Sequence, residues 1–306
     1  MKIDLKVSLA GVELANPIMT ASGCCGYGEE LARIFPLSKL GALVTKSITL
    51  KPRSGHPSPR TAETTAGMLN AIGLANVGVD RFLKEKVPFL SGQRTSVIVN
   101  VAGSTLDEYV EVSARLNDCP RVDMIELNIS CPTVDAGGME FGARPDLTEK
   151  TVAAVKRVFT RPVIAKLSPN VTSIVDIARA AEQGGADVLS LINSVVGTAV
   201  DIDTWKMRLT NNKGGLTGPA IKPIALAKVD AVYNHTSLPV IGIGGIADYR
   251  DVIEFLLCGA TAVQIGTALF IEPETPIKVV NDLKKYLKQK KLRSVADLVG
   301  QVRKYR

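Results

Sequence analysis

The stretch PVIAKLSPNVTSIVDIARAAEQGGADVLSLINS, residues 162–194, decides the fold of this 306-residue chain. Its apolar runs PVIAKLS (162–168) and ADVLSLINS (186–194) lack clean alternation, as strands buried on both faces do. Between them, SIVDIARAAEQGG (173–185) has helical spacing and ends in two glycines, which is a helix C-cap signal. The stretch therefore predicts one strand–helix–strand unit of an α/β protein.

Six further runs of the same kind bring the number of predicted strands to eight. They are NPIMTASG (16–23), GALVTKSI (41–48), TSVIVNVAG (95–103), VDMIELNIS (122–130), LPVIGIGGI (238–246) and TAVQIGTAL (261–269). Eight near-regular units favour a (β/α)8 TIM barrel over the alternative, a doubly wound sheet. Residues 5–14 predict a small N-terminal β-hairpin that turns at Ala10-Gly11.

No linker or composition shift divides the chain, so we expect a single barrel domain over residues 1–306. The longest irregular piece is 49–80, and a loop of this length in a compact domain is usually functional.

Composition excludes several classes of protein. The formal net charge is +7, but aromatic residues are few and no nucleic-acid motif appears, so we expect no nucleic-acid partner. No signal peptide or apolar run long enough to span a bilayer is present, which predicts a cytoplasmic protein with no membrane partner. Two histidines and five cysteines lack metal-ligand spacing, so we expect no metal site and no disulfide framework.

Polar residues and glycines close the predicted strands, at the end of a TIM barrel where the chemistry is found. They are Ser22, Lys46, Ser47, Asn100, Asn128, Cys131, Lys166, Asn193, Ser194, Gly244, Gly245, Gly266 and Thr267. Two lysines at equivalent strand ends are hard to explain as structural ion pairs. Lys46 and Lys166 would meet in one pocket, at an energetic cost unless an anion is bound there.

The last two strands end in GIGGI (242–246) and QIGTA (264–268), which we interpret as a phosphate clamp. GIGGIA also fits a loose dinucleotide pattern, but Gln264 stands about where the ribose-binding acid is expected. A phosphorylated flavin suits a pocket with this clamp, two lysines and three asparagines. A lysine beside its pyrimidine end would stabilise the anionic reduced ring.

Cys131 has two interpretations. A free cysteine is most often a buried apolar residue. Here Asn128, Ser130 and Pro132 surround it, and TVDAGGMEFG (133–142) could close over it. A modestly activated thiol could then serve as a base near neutral pH.

The motifs together resemble the flavoprotein dihydroorotate dehydrogenases, and more narrowly the class 1, NAD-linked (class 1B) catalytic subunit. The resemblance covers nearly the whole chain and is carried by NPIMTASG, TKSIT, GMLNAIGL, NVAG, ELNISCP, AKLSPN, GGLTGPAIKP, GIGGI and QIGTA. Cys131 argues against the membrane-bound class, which carries a serine base. Three departures from the common pattern are Val77, where proline is usual, Ser194, where threonine is usual, and Cys25, where an aromatic residue is usual.

The resemblance implies a role for each of these residues. One FMN per chain would contact Ser22, Lys46, Ser47, Asn100, Asn128, Lys166, Ile192, Gly218, Gly244, Gly245, Gly266 and Thr267. Dihydroorotate would contact Lys46, Asn70, Ala71, Ile72, Gly73, Leu74, Asn128, Asn193 and Ser194. Cys131 would remove the C5 proton while C6 gives hydride to flavin N5, which yields orotate.

The resemblance also implies partners. In the NAD-linked class, a second subunit carries FAD and a [2Fe-2S] cluster and passes electrons to NAD. We therefore expect a heterotetramer built on a homodimer of this chain. Three alternatives stay open: the fumarate-linked homodimeric class 1A, a dihydropyrimidine dehydrogenase-type module, and a flavin- or phosphate-binding barrel without catalysis.

Overall fold

Eight parallel strands form a closed barrel in this computed structural model, which describes residues 3–129 and 141–305. The strands, in chain order, are β1 (Val7–Leu9), β2 (Val12–Leu14), β3 (Ile18–Thr20), β4 (Ala42–Val44), β5 (Thr61–Thr64), β6 (Gly67–Asn70), β7 (Ser96–Val101), β8 (Met124–Asn128), β9 (Val163–Lys166), β10 (Val188–Leu191), β11 (Val195–Gly197), β12 (Val200–Asp201), β13 (Lys206–Met207), β14 (Gly214–Thr217), β15 (Val240–Ile243) and β16 (Ala260–Ile265). The barrel order is β3-β4-β7-β8-β9-β10-β15-β16, and β16 pairs with β3 to close it.

Each of the eight predicted apolar runs supplies one barrel strand, so the predicted (β/α)8 barrel is confirmed. The N-terminal hairpin is also confirmed: β1 and β2 pair antiparallel, with positive φ at Ala10 (48°) and Gly11 (87°) in the turn. The strand interiors are buried on both faces, which explains their unbroken apolar character.

Helices cover the outside of the barrel. They are α1 (Gly78–Arg81), α2 (Val87–Ser91), α3 (Leu106–Asn117), α4 (Pro145–Lys156), α5 (Ile174–Gln183), α6 (Lys222–Tyr233), α7 (Tyr249–Leu257), α8 (Ala268–Ile271) and α9 (Thr275–Gln289). Short 3-10 helices lie at Leu31–Arg33, Leu37–Lys39, Phe141–Ala143, Pro219–Ile221 and Val295–Leu298, and one π-helical segment at Phe82–Lys86. No helix among the described residues is long and apolar enough to cross a bilayer.

Local sequence signals set the helix ends. Ser173 begins α5, because its hydroxyl accepts the backbone N–H of Asp176. The helix ends as its two glycines predict. The N–H of Gly185 (φ 89°) bonds the carbonyl of Glu182, and the N–H of Ala186 bonds that of Ala181, as in a Schellman motif.

The segment 49–80 differs from the irregular loop that its sequence suggested. It contains the antiparallel pair β5–β6, and β6 pairs in turn with β14, which pairs with β11. The resulting four-stranded sheet joins this segment to the insertion between β10 and α6. Its strands end at residues named above: Asn70 closes β6, Ser194 precedes β11 and Gly218 follows β14.

Candidate functional site

The centre of the barrel holds a fully buried carboxylate, that of Glu126 on β8. Its Oε1 accepts hydrogen bonds from Asn100 Nδ2 at 2.7 Å and from Lys166 Nζ at 3.3 Å. Its Oε2 accepts from Ser190 Oγ at 2.9 Å and from Gln264 Nε2 at 2.6 Å. We call these five residues the Glu126 cluster. They lie on five different barrel strands, and hydrogen bonds to one carboxylate connect all five strands through the barrel interior.

Strand register explains why these side chains meet. Asn100 stands directly opposite Glu126 in the β7–β8 pair, and Lys166 stands opposite Ser190 in the β9–β10 pair. Paired residues of parallel strands face the same side of the sheet, which here is the interior. Asn128 stands opposite Lys166 and two residues after Glu126, so it shares that face.

Asn100 and Ser47 extend the cluster toward β4. Ser47 Oγ donates to Asn100 Oδ1 at 2.6 Å, while the amide nitrogen of Asn100 points at Glu126. A carboxylate can only accept, so it fixes which end of the amide faces it. Ser47 and Asn100, both predicted cofactor residues, are thus brought together and oriented.

Lys166 is buried and forms an ion pair with Glu126. Two lysines at strand ends were hard to explain as structural ion pairs, yet Lys166 does form a buried ion pair. Lys166 also acts on Cys24: burial raises the pKa of the Cys24 thiol to about 11, and the Lys166 ammonium opposes part of that rise. Cys24 consequently stands near the cluster as a neutral thiol at pH 7.

Lys46 occupies a different environment. It is half-buried, and its pKa is lowered by burial first and by the nearby Arg60 guanidinium second. Two cations thus stand close together, which suits an anionic ligand. Within residues 3–129 and 141–305, no hydrogen bond joins Lys46 to the Glu126 cluster, and the meeting of Lys46 and Lys166 in one pocket stays a prediction.

Asn128 and Asn193, both predicted to bind substrate, contact each other directly. Asn193 Nδ2 donates to Asn128 Oδ1 at 3.1 Å, and Asn193 Oδ1 accepts the N–H of Ser194 at 2.8 Å. The carbonyl of Asn128 accepts the Tyr109 hydroxyl at 2.8 Å, which anchors the end of β8 to α3. Both amides are therefore held in defined orientations at the barrel mouth.

The glycines after β15 form a close-fitting corner with the loop that begins α6. Gly245 has φ 74°, and a Cβ there would lie 2.9 Å from the carbonyl oxygen of Gly218. A Cβ on Gly218 would lie 3.5 Å from Thr267 Cγ2, and one on Gly244 would lie 3.5 Å from Ile192 Cγ1. Residues from four parts of the chain thus meet where the phosphate clamp was predicted.

Ser22 and Gly266 follow neighbouring strands. The N–H of Ala21 donates to the carbonyl of Ile265 at 2.8 Å, and a Cβ on Gly266 would lie 3.2 Å from that of Ala21 and 3.3 Å from Cys24 Sγ. The ends of β3 and β16 are therefore side by side. The Cys24 thiol lies beside them and is the same thiol on which the Lys166 charge acts.

Asn70 and Ala71 are tied to the sheet above the barrel. Asn70 Nδ2 donates to the carbonyl of Gly215 at 3.1 Å, and a Cβ on Gly215 would overlap Ser194 Oγ. The N–H of Ala71 donates to the carbonyl of Arg60 at 2.8 Å. Asn70 and Ser194, two predicted substrate residues, thus flank one glycine.

Residues Ile72, Gly73 and Leu74 pack against the start of the 49–80 segment. The backbone N–H of His56 donates to the Ile72 carbonyl at 3.1 Å, and the His56 ring lies against Gly73. Asn76 Nδ2 donates to the Leu74 carbonyl at 2.7 Å. This substrate segment is accordingly braced from both of its ends.

Cys131, the predicted base, lies outside the described residues, as do Ser130 and most of the segment predicted to close over it. The roles assigned to the other residues stay predictions, although the structure brings most of them to one barrel mouth.

Glu126, Ser190 and Arg60 were not predicted from the sequence as site residues. Gln264 was noted only because it stands where a dinucleotide-binding protein would have a ribose-binding acid. A signal for Glu126 was present: it precedes Asn128 by two residues, so both face the same side of a buried strand. An acid in the middle of such a strand requires partners, and these lie on distant strands.

The model of the dihydroorotate dehydrogenase family matches residues 4–287 of this chain. The chain belongs to this family.

Relatives within the family are similar to the chain over nearly its whole length. A protein of Pelobacter propionicus is 51% identical over 300 residues, which is 98% of this chain and 99% of the relative. One of Citrifermentans bemidjiense is 50% identical over 297 residues (97% of each), and one of Geobacter sulfurreducens is 50% identical over 299 residues (98% of each). Each is named "Dihydroorotate dehydrogenase B (NAD(+)), catalytic subunit".

Membership of the dihydroorotate dehydrogenase family implies a flavin cofactor. The residues present at the barrel mouth fit a flavin. At Gly245 a Cβ would meet the Gly218 carbonyl oxygen, so glycine lets the loop after β15 pack directly on the start of α6. Backbone N–H groups in such a glycine-rich corner beside a helix start are suited to a phosphate. The Lys166 ammonium and the Asn100 amide both donate to Glu126, and each carries more than one N–H group. Charged and neutral donors of this kind match the carbonyl and nitrogen acceptors of a flavin ring.

Proposed function

We propose that this protein is the catalytic subunit of an NAD(+)-linked dihydroorotate dehydrogenase, which oxidises (S)-dihydroorotate to orotate in pyrimidine biosynthesis. The observation that carries the proposal is that the joined Asn128–Asn193 pair and the Gly218–Gly245 corner both lie at the carboxyl ends of barrel strands, while the Glu126 cluster lies in the barrel interior beneath them. The names of relatives at about 50% identity support the substrate and the acceptor.

The flavin in this proposal is FMN, one per chain. The Gly218, Gly244, Gly245, Gly266 and Thr267 group would hold its phosphate. Its ring would lie toward the interior polar residues, with Ser22, Lys46, Ser47, Asn100, Asn128, Lys166 and Ile192 around it. When bound, FMN would accept the two electrons that leave the substrate.

The substrate is an anion with a carboxylate and ring amides. In this proposal, Lys46 beside Arg60 offers positive charge, while Asn128, Asn193, Ser194 and residues 70–74 offer donors and acceptors at fixed orientations. Cys131 would take the proton from C5 of dihydroorotate, and a thiol can serve as such a base once a neighbour lowers its pKa.

The partner proposed for this chain is an electron-transfer subunit that carries FAD and a [2Fe-2S] cluster. The words "catalytic subunit" in the relatives' names support the existence of a second subunit. We propose two copies of each subunit, assembled on a homodimer of this chain, with residues 1–306 acting as one FMN-binding domain in the cytoplasm.

Anaerobic reduction tests the proposed reaction directly. Purified protein should be yellow with one FMN per chain, and dihydroorotate should bleach its flavin colour without oxygen. Dihydrouracil, which lacks the carboxylate, should fail to do so. Reduction by dihydrouracil but not by dihydroorotate would reject the proposal in favour of the dihydropyrimidine type. Co-purified partner should add NAD(+) reduction, and fumarate should not replace NAD(+).

The role of Cys131 has its own test. Cys131→Ser should retain FMN yet slow the reductive half-reaction by about two to four orders of magnitude, which is the usual value of a positioned base. Cys119→Ser, which changes a buried cysteine between α3 and the start of β8, serves as the matched control and should leave that rate unchanged. Equal rates for wild type and Cys131→Ser would remove Cys131 from the mechanism.

A further inference from the structure

Glu126 and Lys166 are distinctive because they are the only acid and the only base that are buried among residues 3–129 and 141–305. Their ion pair lies inside the barrel, with 0% and 6% of each residue exposed. A buried ion pair rarely stabilises a fold more than apolar residues of similar size would. The presence of the pair therefore calls for an explanation other than the stability of the barrel.

The pair is connected to the proposed cofactor site on one side only. Lys166 and Asn100 are proposed flavin contacts, and both bond the same oxygen of Glu126. The other oxygen is held by Ser190 and Gln264, which are not among the proposed contacts. The carboxylate consequently stands behind the residues that would face the flavin, with its position fixed from the opposite side.

We propose that Glu126 is a positioning residue that sets the reduction potential of the flavin, by orienting Lys166 and Asn100 and compensating the positive charge of Lys166. This inference deepens the proposed function and rests on it. A cofactor that gains negative charge on reduction is stabilised by nearby positive charge. The carboxylate weakens that stabilisation, so Glu126 keeps the potential lower than Lys166 alone would make it.

Glu126→Gln tests the proposal with little change of shape. In the wild type, Gln264 Oε1 has no hydrogen-bond partner among the described residues. If the Gln264 amide turns over, that oxygen can accept from the new amide nitrogen at position 126, and Ser190 can accept as well. The variant thus keeps its bonds to the walls of the barrel while it loses the charge.

The expected result is a higher midpoint potential for bound FMN. The ratio of the affinity for reduced FMN to that for oxidised FMN should rise about tenfold, which corresponds to about 30 mV for a two-electron couple. The measurement is a spectroscopic redox titration of the bound flavin, with wild type and variant in the same buffer. No substrate turnover enters the readout.

Two controls separate charge from packing. Ser190→Ala removes one hydrogen bond to the same carboxylate but no charge. It should change the ratio of the affinities for reduced and oxidised FMN by less than about twofold. Glu126→Gln is also made in a Lys166→Gln background with saturating FMN. There the change should raise the potential by far less than it does in the wild-type background, because no Lys166 charge is left for Glu126 to orient and compensate. If Glu126→Gln does not fold, Glu126→Asp replaces it, and the retracted carboxylate should give a smaller rise.

The outcomes distinguish this inference from the proposed function. A wild-type protein that retains no FMN contradicts the proposed function and this inference with it. A protein that binds FMN and oxidises dihydroorotate, but whose potential is the same in wild type, Glu126→Gln and Glu126→Asp, contradicts the inference alone. An equal rise in Ser190→Ala would also overturn it, since packing would then explain the shift.

Discussion

Glu126 on β8 and Gln264 on β16 are joined by a 2.6 Å hydrogen bond across the interior of the barrel. Four steps around the closed sheet separate their strands in either direction, so the two residues stand on opposite walls. Barrel interiors are usually filled by layers of branched apolar side chains. Here a polar layer crosses the axis, and it connects strands that are distant in sequence through a single carboxylate.

Removal of the Gln264 donor should destabilise the barrel. Gln264→Leu fills a similar volume but leaves Oε2 of Glu126 with one donor fewer, and a lost hydrogen bond to a buried charge costs about 2 kcal/mol. Urea unfolding of the FMN-free protein measures the free energy of unfolding. Gln183→Leu, at an exposed position at the end of α5, is the control and should change stability by less than about 0.5 kcal/mol. Equal effects from the two variants would mean that the bond across the barrel contributes nothing.

The corner at Gly245 should be intolerant of any side chain. Gly245→Ala forces a residue with φ 74° and a Cβ 2.9 Å from the Gly218 carbonyl, so the proposed phosphate site must open. We expect at least a tenfold loss of FMN affinity, measured by fluorescence of released flavin.

Gly11→Ala provides the matched control for that variant. Gly11 also has positive φ (87°), but a Cβ there would meet nothing within 4 Å, and the turn of the β1–β2 hairpin lies outside the site. The backbone cost of about 1–2 kcal/mol should appear in stability, with FMN affinity unchanged. Retention of full affinity in Gly245→Ala would show that the corner does not hold the cofactor.

The barrel was predictable from sequence because its strands are buried on both faces and therefore appear as unbroken apolar runs. The pair β5–β6 was not, since TAET and GMLN are half-exposed and mixed in character. Their pairing with β14 depends on a segment about 150 residues later, which no local pattern reports. Tertiary contact overrides weak local preference in such strands.

The sequence could predict which strand ends form the candidate site. It could not predict which side chains pair with each other there. The ends of β3, β8, β9 and β16 could be placed at one mouth as soon as the barrel was recognised. That Lys166 is balanced by Glu126 could not, because the ion pair depends on the register between strands. An acid embedded in a run such as VDMIELNIS is the sequence feature that should prompt a search for a buried cation.

Asn193 offers a test of substrate binding that leaves the cofactor aside. Asn193→Asp replaces a donor to Asn128 by an anionic oxygen, and it adds negative charge where an anionic substrate is proposed to bind. The dissociation constant for orotate should rise at least about tenfold, or about 1.4 kcal/mol, while FMN content stays at the wild-type value. Asn281→Asp, on the exposed side of α9, controls for the added charge. Unchanged orotate binding would place the substrate elsewhere.

Alkaline pH should destabilise the protein through Cys25. Burial raises the pKa of this thiol from 9.0 to about 12, and the hydrogen bond from Thr20 opposes only part of the rise. The raised value means that the unfolded chain loses the Cys25 proton above pH 9 while the folded chain keeps it. The free energy of unfolding therefore falls as pH rises through 9 and stops falling near 12. Between pH 8 and pH 10.5 this group alone should remove about 2 kcal/mol.

Cys25→Ser isolates that contribution, because serine keeps the size and does not titrate in this range. Other titrating groups act equally in both proteins, so the difference in their urea midpoints gives the Cys25 term directly. Relative to wild type, the variant should gain about 2 kcal/mol between pH 8 and pH 10.5. Cys258→Ser is the comparison: burial also raises the pKa of Cys258, but this thiol is partly exposed, so its gain should be smaller. If the Cys25→Ser and wild-type curves stay parallel across this range, the thiol is accessible to water in the folded state.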